Sequence, residues 1–235
     1  MNTKELYSNE ELLEKLINIL KNYDEETTCH CLRVSLYTAL FLNFLEEKNL
    51  TTLLENHPPK EIIYSSAIHD IGKIYVERKI IVDGTISVSH DVEEIKEHPK
   101  VGTIFIRPES KTIYEGILFH HERYDGEGYP FKLKAQEISV VGRIINIVDS
   151  FDAMTSKRPY MDQAKSPEKS ILDIKENLGH QFDPTLGNYF IEMFNEPKYK
   201  KILTLEKDSI TLTEYLKKVL NWLYSDSKEI DKILN

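Results

Sequence analysis

Apolar residues recur along this 235-residue chain at spacings of three and four rather than two. That spacing marks amphipathic helices. Leu12, Leu13, Leu16, Ile17 and Leu20 form the first stripe, with Ser8 and Glu11 ahead of it in capping-box register. A second predicted helix covers about 27–44, its apolar side carried by Leu32, Leu36, Ala39, Leu40 and Phe44. Further helical patterns fall near 60–72, 90–98, 111–121, 138–155, 166–178 and 185–195, divided by Asp-Gly, Pro and Gly punctuation. One stretch departs from the period. ILTLEKDSITL at 202–212 alternates about Lys207-Asp208, which predicts a small hairpin before a last helix capped by Thr211 and Glu214. No internal repeat is evident, and the fold class predicted is all-α.

Composition narrows the setting. With 40% hydrophobic residues the chain can fill one sizeable core, or a core plus a small appendage. The N-terminus has no apolar leader and no window reaches the roughly 20 apolar residues of a membrane span, so a cytoplasmic protein is expected. Cys29 and Cys31 are too few for a disulfide framework, and a lone C-x-C supplies half of a structural zinc site; they read as reduced, ordinary thiols. A net charge of −9 argues against a nucleic-acid partner. An anionic substrate fits only where metal ions supply local positive charge.

The polar residues point to such ions. HHERYDGEGYP at 120–130 and the pair His69-Asp70 crowd metal-capable groups into short spans. Glu26 and His30, four apart, share one helix face. His69-Asp70 follows the apolar run IIYSSAI, His98 closes EEIKEHP, His120 and His121 end a helix, and Asp149 lies in RIINIVDSFDAM, where an unpaired buried carboxylate would be unfavourable. Mixed imidazole and carboxylate donors suit iron, manganese or zinc better than calcium or magnesium, and several donors per helix imply more than one ion. Taken singly, His57, His90 and His180 read as ordinary core or surface residues, and Asp125 and Asp152 as outer partners of a site or as caps. The joint occurrence of the others carries the argument.

HDIGK at 69–73, EHP at 97–99, HHERYDGEGYP, RIINIVDSFDAMTSKRPY at 143–160 and GHQFDP at 179–184 together resemble the HD-GYP subgroup of the HD phosphohydrolase superfamily, from about Glu26 to Phe194. The resemblance implies an HD-domain helical bundle around two or three transition-metal ions, usually iron or manganese. It also implies a cytoplasmic bacterial phosphodiesterase that opens cyclic di-GMP to linear pGpG and/or GMP. It makes His30, His69, Asp70, His98, His120, His121 and Asp149 ligands, with Glu26 the additional ligand of three-metal members. Lys73 matches the catalytic lysine beside Asp70. Arg158 matches an arginine contacting phosphate or guanine, with Lys157 the next candidate. Tyr129 is placed to stack on a base, Gly126 and Gly128 to let the backbone approach the ligand, and Asp125 to shape that loop. A pair of ions about 3.5–4 Å apart activates water and stabilises attacking and leaving oxygens.

The chain departs from the pattern at Tyr75, at VDGT 82–85, and at Ala135 and Ser139, all in loops near the substrate. The expected organisation is an N-terminal helix over 1–25, a catalytic body over 26–195 and a hairpin-helix extension over 196–235. A diguanylate cyclase or sensor protein is the expected macromolecular partner. The competing readings are a non-hydrolysing cyclic-dinucleotide receptor or adaptor and an HD phosphohydrolase for another cyclic dinucleotide; the intact donor set favours hydrolysis.

Overall fold

The computed structural model describes residues 9–75, 89–106, 110–157 and 163–224, and these residues form helices and connecting turns with no strand among them. Helix α1 (Asn9–Tyr23) precedes α2 (Glu25–Glu47), α3 (Pro59–Ala67) and a short 3-10 turn at Ile71–Tyr75. There follow α4 (Ser89–Lys96), α5 (His98–Gly102), α6 (Lys111–Phe119), α7 (Val140–Thr155), α8 (Pro167–Glu176), α9 (Pro184–Asn195), α10 (Pro197–Leu203) and α11 (Ile210–Leu223). No helix of the described residues is long and apolar enough to cross a membrane.

Helix α2 is the axis of the fold. Asp24 starts it, its carboxylate accepting from Thr27 N at 2.7 Å and Thr27 Oγ1 at 2.5 Å. From Thr27 to Leu45 it is buried on nearly all sides, and α1, α3, α7, α9 and α11 pack against it. A helix buried on all sides lies in the middle of a bundle. Phe41 meets Phe190 edge-on at 5.5 Å and Phe44 meets Tyr199 at 5.9 Å, so α9 and α10 clasp the far end of α2. Each such aromatic contributes about 1.5–3 kcal/mol by burial. The metal-capable residues gather at the opposite end, where α2, α3, α5, α6 and α7 approach one another.

The hairpin expected at 202–212 does not form. Ile202 and Leu203 are buried on the last turn of α10, Lys207 turns inward, and Ser209 accepts from Leu212 N at 3.2 Å as the N-cap of α11. Alternation there reflects a helix end followed by a helix start, and Ser209 replaces Thr211 as the cap. The predicted helix at 60–72 breaks at Ile68, and its final residues adopt the tighter 3-10 turn that carries Lys73. Ser8 and the VDGT segment lie outside the described residues. The first and last predicted segments share the main core, since Leu13, Leu16 and Leu20 of α1 and Leu212, Val219 and Leu223 of α11 belong to the same apolar cluster.

Candidate metal centre

Five histidines and two aspartates from five elements converge into two groups. Asp70, His98, His120 and His121 form one, and His30, His69 and Asp149 the other, with the donor atoms of each group within 4.8 Å of one another. Asp70 stands between them. Its Oδ1 lies 3.2 Å from His98 Nε2 and 3.8 Å from His120 Nε2, while its Oδ2 lies 3.8 Å from His30 Nε2 and 3.6 Å from His69 Nε2. One carboxylate therefore offers an oxygen to each side. Asp149 Oδ1 is 3.0 Å from His30 Nε2 and 3.9 Å from His69 Nε2.

The local backbone fixes which nitrogen each imidazole presents. Nδ1 of His69 donates to Ser66 O at 2.8 Å, that of His98 to Ile95 O at 2.6 Å, and that of His120 to Ile117 O at 2.7 Å. A carbonyl only accepts, so Nδ1 carries the proton and Nε2 keeps a bare lone pair. His30 is oriented by another route, its Nδ1 donating to Asp152 Oδ2 at 2.8 Å while its Nε2 lies 3.0 Å from Asp149 Oδ1. That is the carboxylate–imidazole pairing found behind metal-bound histidines.

The residues fit metal ions. With Nδ1 of each ring donating to its carbonyl, the neutral forms of His98 and His120 face each other through bare Nε2 atoms across 3.2 Å, and buried His69 Nε2 and Asp70 Oδ1 have no hydrogen-bond partner. Buried polar atoms are normally satisfied, and repelling lone pairs at this distance call for a shared cation. Donors bonded to one ion at roughly 2.0–2.2 Å stand about 3 Å apart, close to the spacing here.

The protonation states of His69, His120, His121, Asp70 and Asp149 agree. Burial holds His69, His120 and His121 below the ordinary imidazole range, with repulsion among the clustered imidazoles adding to it, and His121 falls to about 3. Burial would raise Asp70, but Lys73, His69 and His98 hold it well below the usual carboxylate range. Burial likewise opposes ionised Asp149, yet the His30 hydrogen bond and the surrounding imidazoles keep it low. Neutral imidazoles and ionised carboxylates are the ligand forms. Cys31 lies beside His69 and Asp70, but burial pushes its thiol up, and both cysteines are free thiols as expected.

With that geometry established, the relatives become informative. A profile of the HD domain family matches residues 12–186. The chain belongs to the HD domain family. Its ordered HD and Gly-Tyr-Pro motifs are those of the HD-GYP subgroup. It is 34% identical over 206 residues to a cyclic di-GMP phosphodiesterase of Thermotoga maritima, covering 86% of this chain and 53% of that protein. It is 28% identical over 193 residues to the 3'3'-cGAMP-specific phosphodiesterase 2 of Vibrio cholerae, covering 80% of this chain and 35% of that protein. The chain thus spans about half the length, or less, of these two relatives. A crystal structure of a cyclic GMP-AMP specific phosphodiesterase from Vibrio cholerae shares the fold at a TM-score of 0.55 and 14% identity, covering 90% of this chain and 53% of that chain.

In this HD domain the remaining expected residues take varied places. Lys73 is partly buried with its Nζ 2.5 Å from Asp70 Oδ2. Glu26 is exposed in the first turn of α2, one turn before His30, outside both donor groups. Lys157 is exposed just past α7, and Arg158 lies outside the described residues. Tyr129 stacks on His121 at 4.7 Å, so an imidazole covers one face of the ring expected to meet a base. Gly128 answers a crowding within the loop, because a Cβ there would come within 2.3 Å of Arg123 N. Gly126 takes φ +86, open to glycine. Asp125 shapes the loop as expected, accepting from Arg123 and from Glu127 N. Ala135 holds φ +52, the left-handed region that favours glycine, whereas Ser139 caps α7.

Two roles were not assigned from sequence. Buried Glu122 accepts from Phe131 N at 2.6 Å and Leu133 N at 3.0 Å, tying down the Gly-Tyr-Pro loop. Asp152, left open between a cap and an outer partner, is the group behind His30; burial opposes its charge, but Lys207, His30 and Arg33 hold it ionised. The HHER string hinted at Glu122, a carboxylate beside two metal-capable histidines, whereas nothing near 152 points to residue 207.

Proposed function

We propose that this HD domain is a metal-dependent phosphodiesterase that hydrolyses a cyclic dinucleotide, cyclic di-GMP in the first instance, to linear pGpG and/or GMP. The observation that carries the reading is the pair of donor groups joined through Asp70, each turning imidazole Nε2 atoms and a carboxylate inward. His98, His120 and His121 would hold one ion, His30, His69 and Asp149 another, and Asp70 both. Iron or manganese suits this mixed imidazole and carboxylate set. Glu26, swung inward from the first turn of α2, would add a third position. When bound, the ions polarise the phosphodiester and activate water.

The chain supplies the rest. Asp70 holds the two groups in one register. Lys73, anchored on that carboxylate, is within reach of a phosphate placed there; it neutralises a non-bridging oxygen or gives a proton to the leaving alkoxide. Arg158, with Lys157 beside it, would grip a second phosphate or a guanine edge. The imidazoles of His69, His120 and His121, kept neutral by burial, leave the substrate's charge to the ions and to these cations. The names of the relatives support both cyclic di-GMP and cyclic GMP-AMP, and the loops around Tyr75 and Tyr129 are where the two would be told apart. A cytoplasmic setting and a diguanylate cyclase or sensor partner complete the proposal.

The test is elemental analysis of protein purified without chelators, then incubation with a panel of cyclic dinucleotides and chromatography of the products. About two or three iron or manganese ions per chain and linear or mononucleotide products are expected. Ion-replete protein that binds a cyclic dinucleotide without cleaving it would establish the receptor reading instead. Arg158→Ala should weaken binding by about 1.5–3 kcal/mol with the ions retained.

A further inference from the structure

Asp152 is completely buried and grips His30 through Oδ2, and its other partners come from far apart in the chain. Arg33 on α2 holds both oxygens, Nε on Oδ1 at 2.8 Å and Nη2 on Oδ2 at 2.9 Å, and Ser156 Oγ lies 3.2 Å from Oδ2. The remaining approach to Oδ1 is taken by Lys207, whose Nζ donates at 2.9 Å. The same ammonium donates to Tyr37 Oη at 2.9 Å and sits over the Tyr37 ring at 4.8 Å. Lys207 belongs to the turn between α10 and α11, beyond the residues 12–186 matched by the family profile.

We propose that Lys207 is a positioning residue through which the C-terminal segment enters the metal centre, closing Asp152 against water and so fixing the His30 imidazole for its ion. A carboxylate that accepts from an arginine, a lysine, a hydroxyl and an imidazole has no free direction in which to swing. Without Lys207, Oδ1 is open to water along that side, and the partner of the ligand loosens. Because coupling is reciprocal, an ion that fixes His30 also tightens the seat of the tail. Apolar contacts of α11 hold the tail down independently, since Leu212, Val219 and Leu223 are buried in the core.

The inference rests on the ion-binding reading of the His30 group, and the experiment separates the two. Trp222 on α11 is the single tryptophan of the chain and is buried, so its emission reports whether the tail is docked. Cobalt(II) is titrated against a chelator into wild type, Lys207→Met and Tyr37→Phe, reading the cobalt absorption spectrum and Trp222 emission. Lys207→Met should lower cobalt affinity roughly 3- to 10-fold, below the 10- to 100-fold of a direct partner of a ligand, and alter the spectrum while Trp222 stays native-like. Tyr37→Phe, which removes one oxygen from the Lys207 seat, should show a smaller loss of the same sign. If Lys207→Met undocks the tail, Tyr37→Phe decides. Unchanged affinity and spectrum in Tyr37→Phe and in any docked Lys207→Met overturn the inference; a wild type that takes up no cobalt overturns the ion-binding reading beneath it.

Discussion

Lys73 Nζ lies 2.5 Å from Asp70 Oδ2, the oxygen that also faces His30 and His69. The lysine is bound to the carboxylate that joins the two donor groups, so its charge sits where the proposed hydrolysis would bring a phosphate. Lys73→Met should reduce kcat by about 10²–10⁴, the range of a lost proton-transfer group, while ion content is unchanged. Parallel elemental analysis and steady-state kinetics check this. Ion loss on the scale of Asp70→Ala would make Lys73 a structural counter-charge instead.

Glu26 tests the count of ions. Its exposed position in the first turn of α2 leaves both buried groups complete without it. Glu26→Ala is expected to keep two ions per chain and to accumulate linear dinucleotide in place of GMP, because the lost carboxylate serves only the third position. A wild-type ratio of products with wild-type stoichiometry would remove Glu26 from the site.

Glu122 tests the loop. Its carboxylate satisfies two backbone N–H groups of the segment after the Gly-Tyr-Pro motif. Glu122→Ala should destabilise the protein by about 2 kcal/mol, and Glu122→Gln by about half as much, since the amide keeps one acceptor. Denaturant midpoints measure both. Equal stability of all three proteins would show that water replaces the carboxylate without penalty.

Acid should unfold the chelator-treated protein early. His69, His120 and His121 are held below the ordinary imidazole value by burial, so as pH falls the unfolded chain takes up their protons first. Their contribution is intact above about 6.5 and is lost progressively below it. His30 acts in the opposite sense: burial lowers it, but its bonds to Asp149 and Asp152 win and raise it, so its contribution is present at low pH and fades as pH rises through the raised value. Three depressed imidazoles outweigh one raised, and Asp70, Asp149 and Asp152 add the same acid sensitivity below about pH 4. The thermal midpoint should be lower at pH 5 than at pH 7.5, and a midpoint equal or higher at pH 5 would contradict the assignment.

What could be read from sequence followed from local spacing. The helices were legible because their stripes repeat every three or four residues, and the histidines because they cluster at helix ends beside carboxylates. The turn at 204–209 was misread because a helix terminus and an N-cap placed back to back imitate alternation. Lys207 and Asp152 are 55 residues apart, and no local period reports their contact. Tyr129 on His121 was missed for a different reason. An aromatic in a Gly-x-Gly loop suggests a ligand-facing ring, and only the packed loop shows an imidazole already beneath it.

Ser66, Ile95 and Ile117 receive the imidazole protons of His69, His98 and His120 with their carbonyls alone. Those three addresses are therefore indifferent to which side chains stand there, and a substitution that keeps the helix end keeps the tautomer. His30 is the exception, because its proton rests on a side chain that Arg33, Ser156 and Lys207 must share. Side-chain changes at those three addresses thus leave the orientation of His69, His98 and His120 in place, while that of His30 depends on residues contributed from α2, α7 and the turn before α11.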